Sequence, residues 1–343
     1  MNTKIEELIA TAQKLMTDGK GLLAMDESVE TCNARFSKLG IPQTEEARRA
    51  YRELIVTTPH LGDYISGAIL FDETIRQKKK DGTAFIDILR SAGIVPGIKV
   101  DRGLKDMAGF PGEKITEGLD GLSDRLKEYF EMGARFAKWR AVIKIGDGIP
   151  TSGCIDANMF LLARYAAMCQ EAGLVPVVEP ETLMDGDHTM EKCGEVTKNV
   201  LKNLFARLLE QNVDLRGIIL KPNMILPGND CPVQNSVEEV ADATVSCFLE
   251  TVPAEVPGIA FLSGGQSGEL ASARLNAMNV RFKSKMPWAL TFSFSRAIQI
   301  PAIEIWKGDD SNVTEAQKAL LHRAKCNSFA RLGKYTEEIE KSE

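Results

Sequence analysis

The chain has 343 residues, 44% hydrophobic and 26% charged, with 28 Gly and 14 Pro, a balance that sustains a large buried core and excludes a disordered polypeptide. Its net charge of −6 and pI near 5.4 argue against a coat for nucleic acid or a binder of anionic membrane, both of which need a positive field over the binding face. No apolar run approaches the roughly 20 residues of a membrane span, and the opening Met1-Asn2-Thr3-Lys4-Ile5-Glu6-Glu7 is acidic where targeting signals are basic or apolar, so a cytoplasmic enzyme is expected.

In chain order, Ile5, Leu8, Ile9, Ala12, Leu15 and Met16 form a helical stripe that stops at Asp18-Gly19, a lid or base helix. Short apolar runs rich in β-branched residues follow at 21–27 (GLLAMDE), 64–71 (YISGAILF), 94–100 (IVPGIKV) and 136–143 (FAKWRAVI). Four more lie at 174–179 (LVPVVE), 217–222 (GIILKP), 258–263 (GIAFLS) and 288–293 (WALTFS). Strands apolar on most positions are strands covered on both faces. Between them run amphipathic helices, such as 120–131 with Leu122, Leu126, Tyr129 and Phe130, and 196–210 with Val200, Leu201, Leu204, Leu208 and Leu209. Eight β-then-α units in series predict an α/β chain folded as a (β/α)₈ TIM barrel, with an open doubly wound sheet as the rival topology. No linker, repeat or low-complexity tract divides residues 1–343, which read as one domain ending in a charged, solvated tail at 335–343 (YTEEIEKSE).

Charged residues interrupt these runs where the strands end, the positions that point into the mouth of a barrel. Asp26 and Glu27 end the first strand, Lys99 and Asp101 the third, Lys138 and Arg140 sit in the fourth, Glu179 and Glu181 end the fifth, and Lys221 ends the sixth. Any one of them, taken singly, reads as a solvated rim residue or half of an ion pair. Gathered in one mouth, so many ions need compensating charge from one another or from a ligand.

A lysine among cations and apolar walls has its ammonium form disfavoured, which frees the amine to attack a carbonyl and form a Schiff base. Lys221, after Ile218-Ile219-Leu220, is the better-placed nucleophile with Lys138 as its cationic neighbour; spacing alone leaves the reverse assignment open. Glu179, Glu181 and Asp26 are the candidate proton carriers, and the two glutamates, two residues apart on a strand, share a face and are expected to titrate as a coupled set. Ser263-Gly264-Gly265 before a helix start, with Arg296 after the eighth strand, has the makings of a phosphate cradle, and Ser293 and Ser295 are further polar residues closing that strand.

Seven irregularly spaced cysteines read as reduced, structural thiols with no base or metal partner beside any of them. Three histidines, His60, His188 and His322, leave a zinc lyase short of ligands, so no catalytic metal is expected. Asp185-Gly186-Asp187-His188 reads as a polar turn rather than a ligand run, and neither a dinucleotide fingerprint nor a Walker motif occurs.

Seven stretches together resemble one family: GKGLLAMDES (19–28), LDGLSDRL (119–126), FAKWRAVIKIG (136–146), VPVVEPE (175–181), LKPNM (220–224), FLSGGQS (261–267) and WALTFSFSRA (288–297). Over nearly its full length the chain resembles class I fructose-bisphosphate aldolase, the Schiff-base type. The resemblance implies a barrel, a homo-oligomer, usually a tetramer, and cleavage of a sugar bisphosphate without cofactor or metal. It places the Schiff-base lysine at Lys221, its polar partner at Lys138, the proton shuttle at Glu179 and the acceptor of the C4 hydroxyl proton at Asp26. It assigns the C1 phosphate to Ser263, Gly264 and Arg296 and the C6 phosphate to Lys99, Ser28 and Arg140, with Glu181, Arg35 and Ser293 in support.

Three departures from the family pattern carry expectations. Ala34 stands where many relatives have a lysine, which removes one contact to the C6 phosphate; Ser295 replaces a glycine, harmless only if the turn needs no positive φ. The sequence lacks the long tail with a terminal tyrosine, so a slower enamine protonation is expected. The alternatives are a preference for another phosphorylated ketose such as sedoheptulose 1,7-bisphosphate, or a barrel kept as a non-catalytic scaffold.

Overall fold

The computed structural model describes residues 2–342; Met1 and Glu343, expected at the ends of the domain, lie outside the described residues. Helix α1 (Asn2–Leu15) leads into β1 (Gly21–Met25), α2 (Val29–Lys38) and α3 (Glu45–Val56). Next come β2 (Ile65–Leu70), α4 (Asp72–Arg76), α5 (Phe85–Ser91) and β3 (Val95–Lys99), then a hairpin of β4 (Leu104–Asp106) and β5 (Lys114–Thr116). After α6 (Leu122–Met132) come β6 (Phe136–Ile143), α7 (Ser152–Ala172), β7 (Val175–Thr182), α8 (Met190–Glu210) and β8 (Ile219–Leu220). The chain continues with α9 (Val237–Thr251), β9 (Gly258–Phe261), α10 (Gly268–Phe282), β10 (Ala289–Phe294), α11 (Arg296–Trp306), α12 (Val313–Leu332) and α13 (Glu337–Lys341).

Eight of the strands close into a parallel barrel in the order β1, β2, β3, β6, β7, β8, β9, β10 and back to β1, so the (β/α)₈ architecture holds and the open sheet does not. The β4–β5 hairpin is a separate antiparallel excursion after β3. β4 is exposed at Leu104, Lys105 and Asp106, and β5 buries only Thr116, so strands this short carry no apolar run to read.

Alternation along each strand builds two cores. Outward positions such as Trp139 and Ala137 meet the helices, and Trp139 packs on Tyr165 of α7 with ring centroids 5.5 Å apart. Inward positions form a second cluster of Leu22, Ala24, Phe136, Val175, Val177, Ile219 and Ala260. Leu8, Ala12, Leu15 and Met16 join that inner cluster, so α1 is the base of the barrel rather than a lid over its charged mouth. Phe136 fills so much of the interior that Gly97 opposite it has no room for a side chain: a Cβ there would lie 2.3 Å from the ring.

The charged C-terminal stretch, expected as a solvated tail, is docked. The Tyr335 N–H donates to Asn276 Oδ1 at 3.0 Å, its hydroxyl to Glu340 Oε2 at 2.6 Å, and Arg323 of α12 also donates to Glu340. Thr336 caps α13 by accepting from the Ile339 N–H.

Candidate active site

Following each inward row up the barrel, apolar side chains give way to ions. On β1 the row runs Leu22, Ala24, Asp26; on β6 it runs Phe136, Lys138, Arg140; on β7 it runs Val175, Val177, Glu179, Glu181; beyond β8, Ile219 is followed by Lys221. A period of two and a common strand direction therefore place all the charges at the C-terminal mouth. They line a cavity of about 460 Å³ that also receives Ser28 and Arg35 of the first loop and α2, Lys99, Ser263, Gly264, Ser293 and Arg296. Every residue that the resemblance assigns to the site lines this one cavity; Asp101 and Gly265, also singled out in the sequence, do not. A neighbouring cavity of about 690 Å³ shares Ser28, Lys99 and Arg140 but contains neither Lys221 nor Glu179.

The deepest part of the mouth is a chain of alternating charge. Lys221 Nζ lies 3.0 Å from Glu179 Oε1, Lys138 Nζ lies 3.0 Å from Glu179 Oε2 and 2.7 Å from Asp26 Oδ2, and the lysines and Glu179 are all buried. Burial opposes the charge on Glu179, but Lys138, Lys221 and Arg140 outweigh it and hold the carboxyl down at about 2. Burial likewise opposes the charge on Lys138, and Asp26 with Glu179 more than reverses it, holding the ammonium well above its ordinary value.

Two expectations change on this geometry. Lys138 does not face Lys221 as a bare cation, because Glu179 stands between them. Glu179 and Glu181 share a face of β7 but not a partner: Glu179 pairs with the two lysines, and Glu181 pairs with Arg140.

Around the rim, Gly264 and Gly265 take φ of +60° and +93°, a left-handed turn that a Cβ would strain, and at Gly264 a Cβ would also lie 2.8 Å from Met184 Sδ. Arg296 has no carboxylate partner among the described residues, and the buried Ser293 hydroxyl has no hydrogen-bond partner there. A turn of bared amides, an unpaired guanidinium and an orphan hydroxyl form a set of donors suited to an oxyanion. Across the cavity, Lys99 pairs with Asp101 at 3.3 Å, and Ser28 caps α2 by accepting from the Thr31 N–H.

Ser295 has φ of −107°, so the turn needs no glycine, and its hydroxyl donates to Glu27 Oε1 at 2.7 Å. Glu27, legible in the sequence only as a charge at the end of the first strand, organises this wall of the cavity. Its side chain, 5% exposed, takes Arg35 on Oε1 at 2.6 Å and Arg52 on Oε2 at 2.7 Å, and Gln299 Nε2 donates to Oε1 at 2.7 Å. Burial resists the charge, yet the two arginines hold the carboxyl far below the usual range. Arg35 is thereby aimed at the mouth. Its α2 neighbours Ala34 and Lys38 line the same cavity, so a lysine one turn after Ala34 is present on this wall.

The family model described as fructose-bisphosphate aldolase class-I matches residues 7–343. A protein named probable fructose-bisphosphate aldolase class 1 from Xanthomonas campestris pv. campestris is 57% identical over 332 residues, covering 96% of this chain and 99% of that one. Fructose-bisphosphate aldolase 6, cytosolic, from Arabidopsis thaliana is 52% identical over 96% of this chain and 92% of its own length. Among solved structures, the fructose-bisphosphate aldolase of Plasmodium falciparum, crystallised with TRAP and a small-molecule inhibitor, superposes with a TM-score of 0.96 at 47% identity, over 98% of this chain and 97% of that one. A lysine-rich barrel mouth, a family match over almost every residue and identity above half with relatives of the same length agree, and the chain belongs to the class I fructose-bisphosphate aldolase family.

Proposed function

We propose that this protein cleaves fructose 1,6-bisphosphate reversibly to dihydroxyacetone phosphate and glyceraldehyde 3-phosphate through an imine on Lys221. The observation that carries the choice of lysine is the unequal pairing of the two ammonium groups. Lys138 is clamped by Asp26 and Glu179 together and held charged, whereas Lys221 contacts Glu179 alone. Held charged by two carboxylates, Lys138 serves as a donor to developing negative charge, and the nucleophile is the lysine that can pass its proton to a single acceptor.

Glu179 takes a proton from Lys221 across the 3.0 Å contact, and the freed amine attacks the ketone carbon. Lys138 stabilises the oxygen as charge develops, and that oxygen takes one proton from the attacking nitrogen to become the carbinolamine hydroxyl; Glu179 then returns its proton to this hydroxyl, which leaves as water while the nitrogen lone pair closes the iminium. Asp26 accepts the C4 hydroxyl proton, the C3–C4 bond breaks, and its electron pair moves into the iminium to form an enamine. After the aldehyde leaves, protonation at C3 and hydrolysis of the imine release dihydroxyacetone phosphate and restore Lys221. The iminium is the electron sink, so the reading calls for neither metal nor organic cofactor.

Ser263, Gly264 and Arg296, with Ser293 nearby, are our assignment for the C1 phosphate, and Lys99, Ser28 and Arg140 for the C6 phosphate, with Arg35 and Glu181 in support. The unpaired Arg296 and the bared turn favour the first assignment. A homotetramer, as the family resemblance implies, and a cytoplasmic location, in keeping with the relative named cytosolic, complete the proposal. Light scattering tests the first and cell fractionation the second.

The deciding experiment treats the protein with dihydroxyacetone phosphate and borohydride, then maps the adduct by peptide mass. A reduced adduct on Lys221 is expected. An adduct on Lys138, or none, would overturn the mechanism.

A further inference from the structure

Away from the barrel mouth, α12 and α13 bring together three ligand-type side chains that the aldol chemistry does not use. His322 and Cys326 are four residues apart on α12 and so share one face, and Glu340 reaches them from α13. Cys326 Sγ lies 3.4 Å from His322 Nε2, His322 Nε2 lies 3.8 Å from Glu340 Oε1, and the three atoms all fall within 4.8 Å of one another. The expectation that no cysteine has a base or metal partner therefore fails at Cys326, because an i, i+4 pair on a helix is adjacent in space while it looks scattered in the sequence.

A nucleophilic thiol is one reading of a Cys–His–Glu group, and the geometry refuses it. The thiol and the carboxylate both approach Nε2, so Glu340 cannot orient the imidazole from its other nitrogen as a relay requires. Burial also pushes the Cys326 thiol up to about 12, away from a reactive thiolate. Convergence of three different donor atoms on one point is what a metal ion requires. Ligands about 2.3 Å (sulfur) and about 2.0 to 2.1 Å (nitrogen, oxygen) from a tetrahedral ion stand about 3.3 to 3.6 Å apart; the sulfur–nitrogen separation here is 3.4 Å and the nitrogen–oxygen one 3.8 Å, with the sulfur and the carboxylate oxygen within 4.8 Å.

We propose that His322 Nε2, Cys326 Sγ and Glu340 Oε1 form a structural site for a borderline-soft divalent cation of the zinc type, which fastens α13 to α12. Sulfur, imidazole and a single carboxylate select this class over magnesium or calcium, which prefer oxygen alone. The carboxylate is already oriented by Arg323, donating to Oε1, and by Tyr335, donating to Oε2; an oxygen with two lone pairs accepts Arg323 on one and binds the ion with the other. The thiol proton leaves to solvent on binding, and water fills the fourth position.

The test uses the chelator-treated full-length protein titrated with Co²⁺, then with Zn²⁺. One Co²⁺ per chain with a cobalt–thiolate charge-transfer band, displaced by Zn²⁺, is expected, and His322→Ala and Cys326→Ala should each weaken binding by at least about tenfold. Both variants should still form the imine with dihydroxyacetone phosphate, which shows that the barrel is folded. Zn²⁺ should also slow amide exchange over residues 335–342 in the parent protein and not in the variants. Absence of the thiolate band, or its persistence at parental affinity in either variant, would overturn the site.

Discussion

Two ammonium groups share one carboxylate at the bottom of the mouth, and that sharing makes Glu179 the most informative residue to change. Glu179→Gln keeps the shape but removes the carboxylate proposed to accept the Lys221 proton and leaves two buried cations without the anion between them. We expect kcat to fall by about 10²- to 10⁴-fold, with the rate of imine trapping falling alongside it. A kcat within a few-fold of the parent would remove Glu179 from the proton path. The same residue sets an acid limb of stability. Its carboxyl is held at about 2 in the fold against an ordinary value of 4.5, so its contribution is complete above pH 4.5 and is lost as pH falls toward 2. Urea unfolding at pH 7 and pH 3 should therefore show a larger loss of stability on acidification in the parent than in Glu179→Gln. A second residue, Ser295, acts through Glu27. Ser295→Ala deletes a 2.7 Å hydrogen bond to a buried carboxylate, and a cost of about 1.5 to 3 kcal/mol is expected in the same urea assay, with KM raised through a looser Arg35. An unchanged KM would detach Glu27 from substrate binding.

At the scale of elements, the packing of β3 against β6 gives a test that is independent of chemistry. A Cβ at Gly97 would meet the Phe136 ring at 2.3 Å, so Gly97→Ala should destabilise the barrel by about 1 to 3 kcal/mol, and Gly97→Ala with Phe136→Leu should cost less than the sum of the single changes. Strict additivity in that cycle would show that the ring is not what excludes a side chain. Such packing explains which elements could be read in advance. The barrel strands are buried on both faces, so each appears in the sequence as an apolar run, and β6 is found over the same residues, 136–143. The sixth strand shrinks from the expected 217–222 to Ile219–Leu220, because a 3₁₀ turn occupies Leu215–Gly217 and Pro222 has no N–H for the ladder. The β4–β5 hairpin was invisible because its strands are only three residues long, β4 exposed throughout and β5 burying Thr116 alone, too short to show an alternation. At the mouth, Lys138, Glu179 and Lys221 were legible as charges at inward positions. The Glu27 network was not, since Arg52 and Gln299 come from α3 and α11, and only folding brings them to one carboxylate.

For the whole molecule, the sign of the charge differs between the surface at large and the place where substrate enters. The chain carries −6, yet the cavity at the barrel mouth is lined by seven cationic side chains, Arg35, Lys38, Lys99, Lys138, Arg140, Lys221 and Arg296, against four acidic ones, Asp26, Glu27, Glu179 and Glu181. A doubly phosphorylated sugar is repelled by most of the surface and drawn in only near the mouth, where low-dielectric walls concentrate the field. Raising ionic strength from about 0.01 M to about 0.15 M shortens the screening length from about 30 Å to about 8 Å, which removes the long-range part of both effects and leaves the contacts inside the cavity. Attraction at the mouth acts on the productive path, so kcat/KM for fructose 1,6-bisphosphate should fall across that range, and more steeply than kcat/KM for fructose 1-phosphate, which carries one phosphate fewer. Lys38→Gln, on the rim and outside every ion pair described for the cavity, should flatten the salt dependence for the bisphosphate while leaving kcat near the parental value. A kcat/KM that rises with salt would mean that the overall negative charge governs encounter and that the cationic lining acts only after the substrate has entered.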